Sequence, residues 1–294
     1  MYVGRFAPSP TGPLHFGSLI AALGSFLDAK SHGGRWLLRM EDIDEPRCSQ
    51  AHADAILRVL EAYGFEWDGE VVYQSRRKER YQAALERLIE LGQAYPCACS
   101  RREIADSSIA GIEGPVYPGT CRAGLGGRTP RAFRVRVGEE AVCFDDRLQG
   151  RHCQKLAAEI GDFVVKRADG FFAYQLAVVV DDHEQAVSHV VRGADLLAST
   201  PRQIHLQRLL GYPTPAYLHL PVAVNELGQK LSKQTLARPL EIREAGPMLV
   251  SALRFLGQQP EPALAHAKGS EVLAWAREHY SPTAIPCQPL SVSA

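Results

Sequence analysis

Three groups of residues have types and spacings that could do chemistry. The first runs Arg5-Phe6-Ala7-Pro8-Ser9-Pro10-Thr11-Gly12-Pro13-Leu14-His15-Phe16-Gly17-Ser18. Its prolines hold the backbone extended, and a histidine and a glycine then stand where a helix begins. A helix N-terminus offers free N–H groups and about half a positive charge, which suits a phosphate. Gly17 leaves room for a phosphate or nucleotide ring against the backbone. His15 could donate to a phosphoryl oxygen whose charge grows during reaction; taken alone it is as well read as a helix cap. The second group, Lys230-Leu231-Ser232-Lys233-Gln234 after a glycine turn, sets two lysines three apart around a hydroxyl. Such a pair can clamp a polyphosphate, although an isolated one is usually a solvated face. The third is Cys97-Ala98-Cys99 followed by Tyr117-Pro118-Gly119-Thr120-Cys121. Three thiols so close suit a tetrahedral zinc that takes one further ligand, for which Cys143, Cys153 and His152 are candidates.

Elements that could hold these groups follow from periodicity. Residues 2–6 read as a strand and the proline stretch as a loop; Leu19, Ile20, Leu23, Phe26 and Leu27 then repeat at helical spacing. Gly33-Gly34 stops that helix, and residues 35–40 form a second strand ending at Glu41-Asp42-Ile43-Asp44. Strand, loop, helix, strand is a parallel βαβ unit with a right-handed crossover, whose strand ends open on one edge, where such sheets place ligands. Two helices are expected over 49–63 and 75–91, closed by Gly64 and Gly92. From 95 to about 154 the periodicity fades and cysteines, glycines and prolines gather, which marks an insertion. Residues 163–166 and 171–180, around Asp169-Gly170, read as strand, turn, strand. Helices are expected over 248–256 and 271–279, before a proline-rich tail.

Composition sets the outer limits. The 294 residues are 46% hydrophobic and 22% charged, ordinary for a soluble globular chain. Lys+Arg and Asp+Glu both total 33, so no global basic field advertises nucleic acid, and a polyanion would have to bind a local patch. Residues 114–138 supply one, with Arg122, Arg128, Arg131, Arg134 and Arg136 and no acid, although Arg134-Val135-Arg136 alternate as in a strand and are as well read as a solvated face. The longest apolar run is too short to span a bilayer, and no signal peptide is visible at the start. Seven cysteines in a chain too long to need staples predict reduced thiols, hence a cytoplasmic protein.

Taken together, the histidine and lysine motifs, in this order and about 215 residues apart behind a βαβ unit, resemble the H-I-G-H and K-M-S-K-S signatures of class I aminoacyl-tRNA synthetases. Arg5 to Gly12, the acidic Glu41–Asp44 stretch and Val191-Arg192-Gly193-Ala194-Asp195 narrow the resemblance to the glutamyl/glutaminyl branch, and it extends from Tyr2 to about Leu236. The chain departs from the signatures at Phe16, Ser18, Leu231 and Gln234. Ser18 in place of the second histidine removes one phosphate donor but can still give a hydrogen bond.

The resemblance implies an α/β fold: a Rossmann-like parallel sheet with a zinc-binding insertion and a short helical C-terminal extension. The divisions expected are 1–95 and 156–236 for two halves of a catalytic domain, 96–155 for the insertion and 237–294 for the extension. It implies that His15, Lys230 and Lys233 are catalytic, and that Gly17, Ser18 and Lys233 bind ATP, with Mg²⁺ as its companion. Arg5, Phe6, Ala7, Pro8, Ser9, Glu41, Tyr174 and Arg192 would line a glutamate pocket. The chemistry agrees, since one acid suits the ammonium and two guanidiniums suit carboxylates. The thiols are similar to the zinc site of small synthetase-like proteins, the glutamyl-queuosine tRNA(Asp) synthetases; on that match Tyr117 joins Cys97, Cys99 and Cys121 around one structural Zn²⁺.

Only about 60 residues follow Lys233, whereas a glutamyl-tRNA synthetase continues into an anticodon-reading domain. The expectation is therefore tRNA-independent activation of L-glutamate, then transfer to queuosine at the wobble position of tRNA(Asp), gripped by its anticodon arm. A truncated synthetase charging a tRNA 3′ end, or a non-catalytic paralogue binding nucleic acid, are the competing readings.

Overall fold

The computed structural model describes residues 1–107, 110–112, 114–224 and 238–291. Strand β1 (Val3–Phe6) feeds the proline loop and helix α1 (Phe16–Ser31), and β2 (Arg35–Met40) returns parallel to β1, pairing Val3 with Arg35 and Phe6 with Leu38. The expected βαβ unit is thus present. Helix α2 (Gln50–Ala62) is capped by the Ser49 hydroxyl, which accepts from the His52 N–H at 3.2 Å. Strand β3 (Val72–Tyr73) extends the sheet in parallel, and α3 (Lys78–Glu90) follows.

The middle of the chain is built from β4 (Ala94–Cys97), α4 (Arg101–Ser107), the small pair β5 (Ala110–Gly111) and β6 (Gly114–Pro115), and β7 (Ala132–Val135). Next come the hairpin β8 (Val142–Asp146) and β9 (Gly150–Gln154), the short α5 (Leu156–Glu159) and β10 (Phe163–Lys166). Strands β4 and β10 flank β7, both antiparallel to it. Helix α6 (Tyr174–Glu184), β11 (His189–Gly193), α7 (Thr200–Leu210), β12 (Ala216–Leu220) and β13 (Ala223–Val224) complete the second half. A further sheet has the order β11-β12-β8-β9, its first three strands parallel. Helices α8 (Ala245–Phe255) and α9 (Gly269–His279) pack on α1, and β14 (Leu290–Ser291) pairs with β13.

The two halves meet where β1 abuts β11: the Ser188 N–H donates to the Val3 carbonyl at 3.0 Å. One core lies under α1, with Leu19, Leu23, Leu27, Trp36 and Leu38 packed against Leu249 and Leu253 of α8. A second surrounds α6, with Leu176, Val178, Tyr81, Val165 and Ile204. A third is very small, with Tyr95, Cys97, Ala98, Tyr117 and Cys121 as its buried members. Two glycines permit close approaches that these contacts require. A Cβ on Gly24 would come within 2.5 Å of Leu220, and one on Gly161 (φ +73°) within 2.6 Å of the Tyr117 backbone.

Two expectations are corrected here. Residues 171–180 do not form a second strand: the Asp169-Gly170 turn is present, with Gly170 at φ +90°, but the run continues as α6. Leu176 to Val180 are all apolar and all buried, so helix and strand leave the same unbroken apolar signature and its periodicity cannot separate them. The cysteines are also not all reduced. Cys143 and Cys153 stand opposite each other in the β8–β9 ladder and form a disulfide. They are thereby withdrawn as metal ligands, and the His152 ring on the same hairpin contacts the Gln149 carbonyl instead.

Candidate active site and metal cluster

A cleft of about 590 Å³ opens at the carboxyl ends of β1, β11 and β12. Its walls include Arg5, Phe6, Ala7, Pro8 and Ser9 from β1 and the following loop, and His15, Gly17 and Ser18 from the start of α1. Glu41 after β2, Tyr174 at the start of α6 and Arg192 on β11 complete the set, so every described residue expected at an ATP or glutamate site borders one cavity. His15 occupies the N-cap of α1 through its backbone, whose carbonyl accepts the Leu19 N–H at 3.0 Å. Lys230 and Lys233 lie outside the described residues. The chain on either side of them does reach the cleft: Val222 and Ala223 line it, and Pro239 forms a β-bridge with His15.

The polar floor is built around Arg39, which the sequence reading passed over. Its fully buried guanidinium meets Asp182 at 2.8 Å, Glu41 at 3.3 Å and Asp181 at 3.8 Å, and donates to Gln185 at 2.7 Å. Arg5 donates to the same Asp182 at 3.2 Å. Burial alone would raise Asp182, but Arg5 and Arg39 outweigh it and hold its carboxyl below the usual range. For Glu41 burial wins: it pushes the carboxyl up, Arg39 and Arg5 offset this only in part, and Asp182 adds to the rise. Burial also raises the Tyr174 phenol, with Glu41 adding to it. Arg192 points Nη1 at the Tyr174 hydroxyl (3.4 Å), while Nη2 donates to Thr200 Oγ1 at 2.8 Å and Nε to His219 Nε2 at 3.1 Å. The signal that could have exposed Arg39 was a charged residue between Leu38 and Met40 in an otherwise apolar strand; Asp182, in an Asp-Asp-His-Glu run, carried no such signal.

A cluster of side chains that could hold a metal is assembled separately. The thiols of Cys97, Cys99 and Cys121 lie within 4.8 Å of one another, with Cys99 and Cys121 Sγ 3.6 Å apart. The Tyr117 hydroxyl is 3.3 Å from Cys97 Sγ and 3.6 Å from Cys99 Sγ, and accepts the Cys121 N–H at 3.0 Å. A tetrahedral zinc with Zn–S of about 2.3 Å needs ligand atoms roughly 3.8 Å apart, so three sulfurs and a phenol oxygen fit. Burial raises the Cys121 thiol, but the Ala98 backbone, the Tyr117 hydroxyl and the neighbouring thiols pull it down to about 7, within reach of the thiolate a metal binds. Two guanidiniums offset the negative charge such a donor set carries: Arg134 Nε is 3.3 Å from Cys97 Sγ, and Arg128 Nη2 is 3.5 Å from Cys121 Sγ.

The arginines of 114–138 also have partners within the fold. Arg122 forms two hydrogen bonds with Asp162, at 2.6 and 2.5 Å, and Arg136 donates to the Gly92 and Arg122 carbonyls. Arg128 and Arg134 reach the thiols, yet of the five only Arg134 is buried and Arg122, Arg128 and Arg131 are exposed, so the charges organise the cysteine segment while part of the basic patch stays at the surface.

A parallel sheet in two halves, with a ligand cleft at its strand ends and a helix N-terminus beside it, is the frame of a class I synthetase core. Residues 2–271 match the family model of class I tRNA synthetases (E and Q), catalytic domain. Among solved structures, glutamate-tRNA synthetase from Elizabethkingia anophelis superposes with a TM-score of 0.80 at 23% identity, over 100% of this chain and 68% of that one. The chain is 61% identical to the Glutamyl-Q tRNA(Asp) synthetase of Dechloromonas aromatica, over 98% of this chain and 97% of the relative. It is 58% identical to the protein of that name from Chromobacterium violaceum, over 99% and 98%. The chain therefore belongs to the class I synthetase family and, within it, to the glutamyl-Q tRNA(Asp) synthetases.

Proposed function

We propose that this chain activates L-glutamate with ATP, without tRNA in that step, and transfers the glutamyl group to queuosine at the wobble position of tRNA(Asp). The observation that carries this reading is the single cleft in which Glu41, Arg5, Arg192 and Tyr174 stand beside His15, Gly17 and Ser18. Glutamate brings one ammonium and two carboxylates. Glu41 takes the ammonium, and Arg5 and Arg192 with the Tyr174 hydroxyl take carboxylate oxygens, while Phe6, Ala7, Pro8 and Ser9 shape the wall. The start of α1 and His15 hold the ATP phosphates, with Lys230 and Lys233 supplying positive charge from the segment whose two flanks reach the cleft. Mg²⁺ accompanies the ATP as its counter-ion.

The α-carboxylate of glutamate attacks the α-phosphorus in line, pyrophosphate leaves, and a hydroxyl of the acceptor then displaces AMP from the adenylate. The protein acts mainly by positioning and by neutralising charge. Cys97, Cys99, Cys121 and Tyr117 hold one structural Zn²⁺, which ties together a segment with little core of its own. We further assign 1–95 and 156–236 to the catalytic domain, 96–155 to the insertion and 237–294 to the extension, and place the protein in the cytoplasm, with the anticodon arm of tRNA(Asp) as partner. Among the described residues no helix is long and apolar enough to cross a membrane.

Incubation with ATP, labelled glutamate and bulk tRNA containing queuosine, followed by nuclease mapping, tests the proposal. Label on an internal anticodon nucleotide is expected; label on the terminal adenosine would mean a synthetase charging the 3′ end and would overturn it.

A further inference from the structure

Behind Arg192, on the side away from the cleft, lies a polar network that the roles above do not use. His219 on β12 is fully buried, and Asp146 at the end of β8 is 5% exposed. Asp146 Oδ2 is 2.6 Å from His219 Nδ1, and Oδ1 accepts the N–H groups of Leu148, Gln149 and His219 at 3.0, 2.8 and 3.2 Å. His219 Nε2 faces the Nε–H of Arg192 at 3.1 Å. An arginine nitrogen can only donate, so His219 Nε2 must accept. The imidazole is therefore neutral, with its proton on Nδ1 and directed at Asp146. Thr200 Oγ1 accepts from Arg192 Nη2 at 2.8 Å and completes the seat. Nη1, beside the Tyr174 hydroxyl, is left as the edge of the guanidinium that faces the cleft.

We propose that Asp146 and His219 are positioning residues for substrate recognition: Asp146 fixes the His219 tautomer, and His219 with Thr200 locks the rotation of the Arg192 guanidinium so that Nη1 meets a glutamate carboxylate. This rests on the reading of Arg192 as a substrate-binding residue. A guanidinium on a flexible stem loses side-chain entropy when it binds, and a seat that has already fixed it spares the substrate that cost. Asp146 is suited to the task because backbone N–H groups already fix one of its oxygens. The residues involved come from β8, β11, β12 and α7, so the seat also joins the β8–β9 hairpin to the strands that form the cleft.

Asp146→Asn is the decisive change. The asparagine oxygen retains the three backbone N–H groups, so its NH₂ must face His219 Nδ1. That places the imidazole proton on Nε2, where Thr200 Oγ1 at 3.2 Å can accept it but Arg192 Nε–H, at 3.1 Å, faces a donor and loses its acceptor, and a wrong tautomer in an unchanged shape disables such a dyad. Glutamate-dependent ATP–pyrophosphate exchange should show the KM for glutamate raised roughly 10- to 100-fold, with the KM for ATP within about twofold, since partners that orient a binding residue have effects of this size. His219→Gln carries a carbonyl oxygen near the place of Nε2 and needs no tautomer. Asp146→Asn should add little to the loss that His219→Gln causes by itself, a non-additivity that general destabilisation would not produce.

An unchanged glutamate KM in Asp146→Asn, or losses that simply add in the double variant, overturns the inference. Should Asp146→Asn not fold, Thr200→Val and Thr200→Ser replace it: valine should raise the glutamate KM and serine restore it, and equal values overturn the inference. Arg192→Ala separates the two levels. If it leaves the glutamate KM unchanged, the reading of Arg192 itself fails; if it raises the KM while Asp146→Asn does not, only the positioning role fails.

Discussion

Replacing Glu41 by glutamine separates what that carboxylate does for the substrate from what it does for the fold. The side chain keeps its shape, and Arg39 keeps Asp182 at 2.8 Å and Gln185 at 2.7 Å, while the longer 3.3 Å contact at position 41 loses its charge. A hydrogen bond between a carboxylate and an ammonium contributes about 1.5–3 kcal/mol, so the glutamate KM should rise about 10- to 150-fold, with the KM for ATP little changed. Stability should move the other way. Burial raises the Glu41 carboxyl in the folded state, and a carboxyl raised in this way stabilises the fold at low pH and ceases to as pH rises through its folded value. At neutral pH its charge therefore costs stability, and Glu41→Gln should melt no lower than the parent. The same shift predicts an acid limb: apparent affinity for glutamate should fall as pH drops toward a point above the usual carboxyl value of about 4.3, and the limb should be absent from Glu41→Gln. Glutamate-dependent pyrophosphate exchange across pH, with melting curves alongside, measures all of this. An unchanged glutamate KM refutes the ammonium seat, and an acid limb that persists in the variant assigns the titration to another group.

Two further outcomes follow from the cysteine segment and its neighbours. Protein purified without chelator should contain one zinc per chain; Cys99→Ser should lower that content, and chelation should loosen 94–135, since structural zinc contributes on the order of 10 kcal/mol to units of this kind. Zinc-free protein with an intact segment would remove the metal from this account. Asp162→Asn should destabilise the chain by about 2–3 kcal/mol in denaturant titration, below the buried-pair range because Arg122 is partly exposed and screened. Burial opposes the ionised Asp162, but Arg122 and the Tyr95 hydroxyl outweigh it and hold its pKa low, so this contribution is present above the unfolded value of about 3.9 and fades as pH falls through the native one. The gap between parent and variant should close in acid; a gap that stays constant would mean the loss is packing instead of charge.

How much of this was legible in the sequence depended on how local the cause was. The βαβ unit could be read because prolines, helical spacing and two glycines announce it within 40 residues. Residues 171–180 could not, because a helix buried on all sides has no polar stripe to reveal its period. The Cys143–Cys153 pair was hidden for another reason: cysteine count and chain length argue about compartments, while pairing is decided by which residues face each other across a ladder. The partners of Arg122 and Arg134 were hidden because the acid and carbonyl that engage them, on Asp162, lie 40 and 28 residues away. His219 and Asp146 are 73 residues apart, and neither motif nor periodicity connects them.

The floor of the cleft shows how one buried arginine can serve two purposes. Glu41 and Asp182 both touch Arg39, yet their carboxyls shift in opposite directions. Asp182 has the shorter contact to Arg39 and a second guanidinium, Arg5, so its charge is matched from within the protein. Glu41 has the longer contact and stays under-compensated after burial. A carboxylate already matched in full would gain little from a substrate ammonium, whereas one left short of positive charge gains most from it. The pair is thus divided by its environment into a carboxylate that holds the floor together and one kept in want of a cation, and only the second borders the cleft.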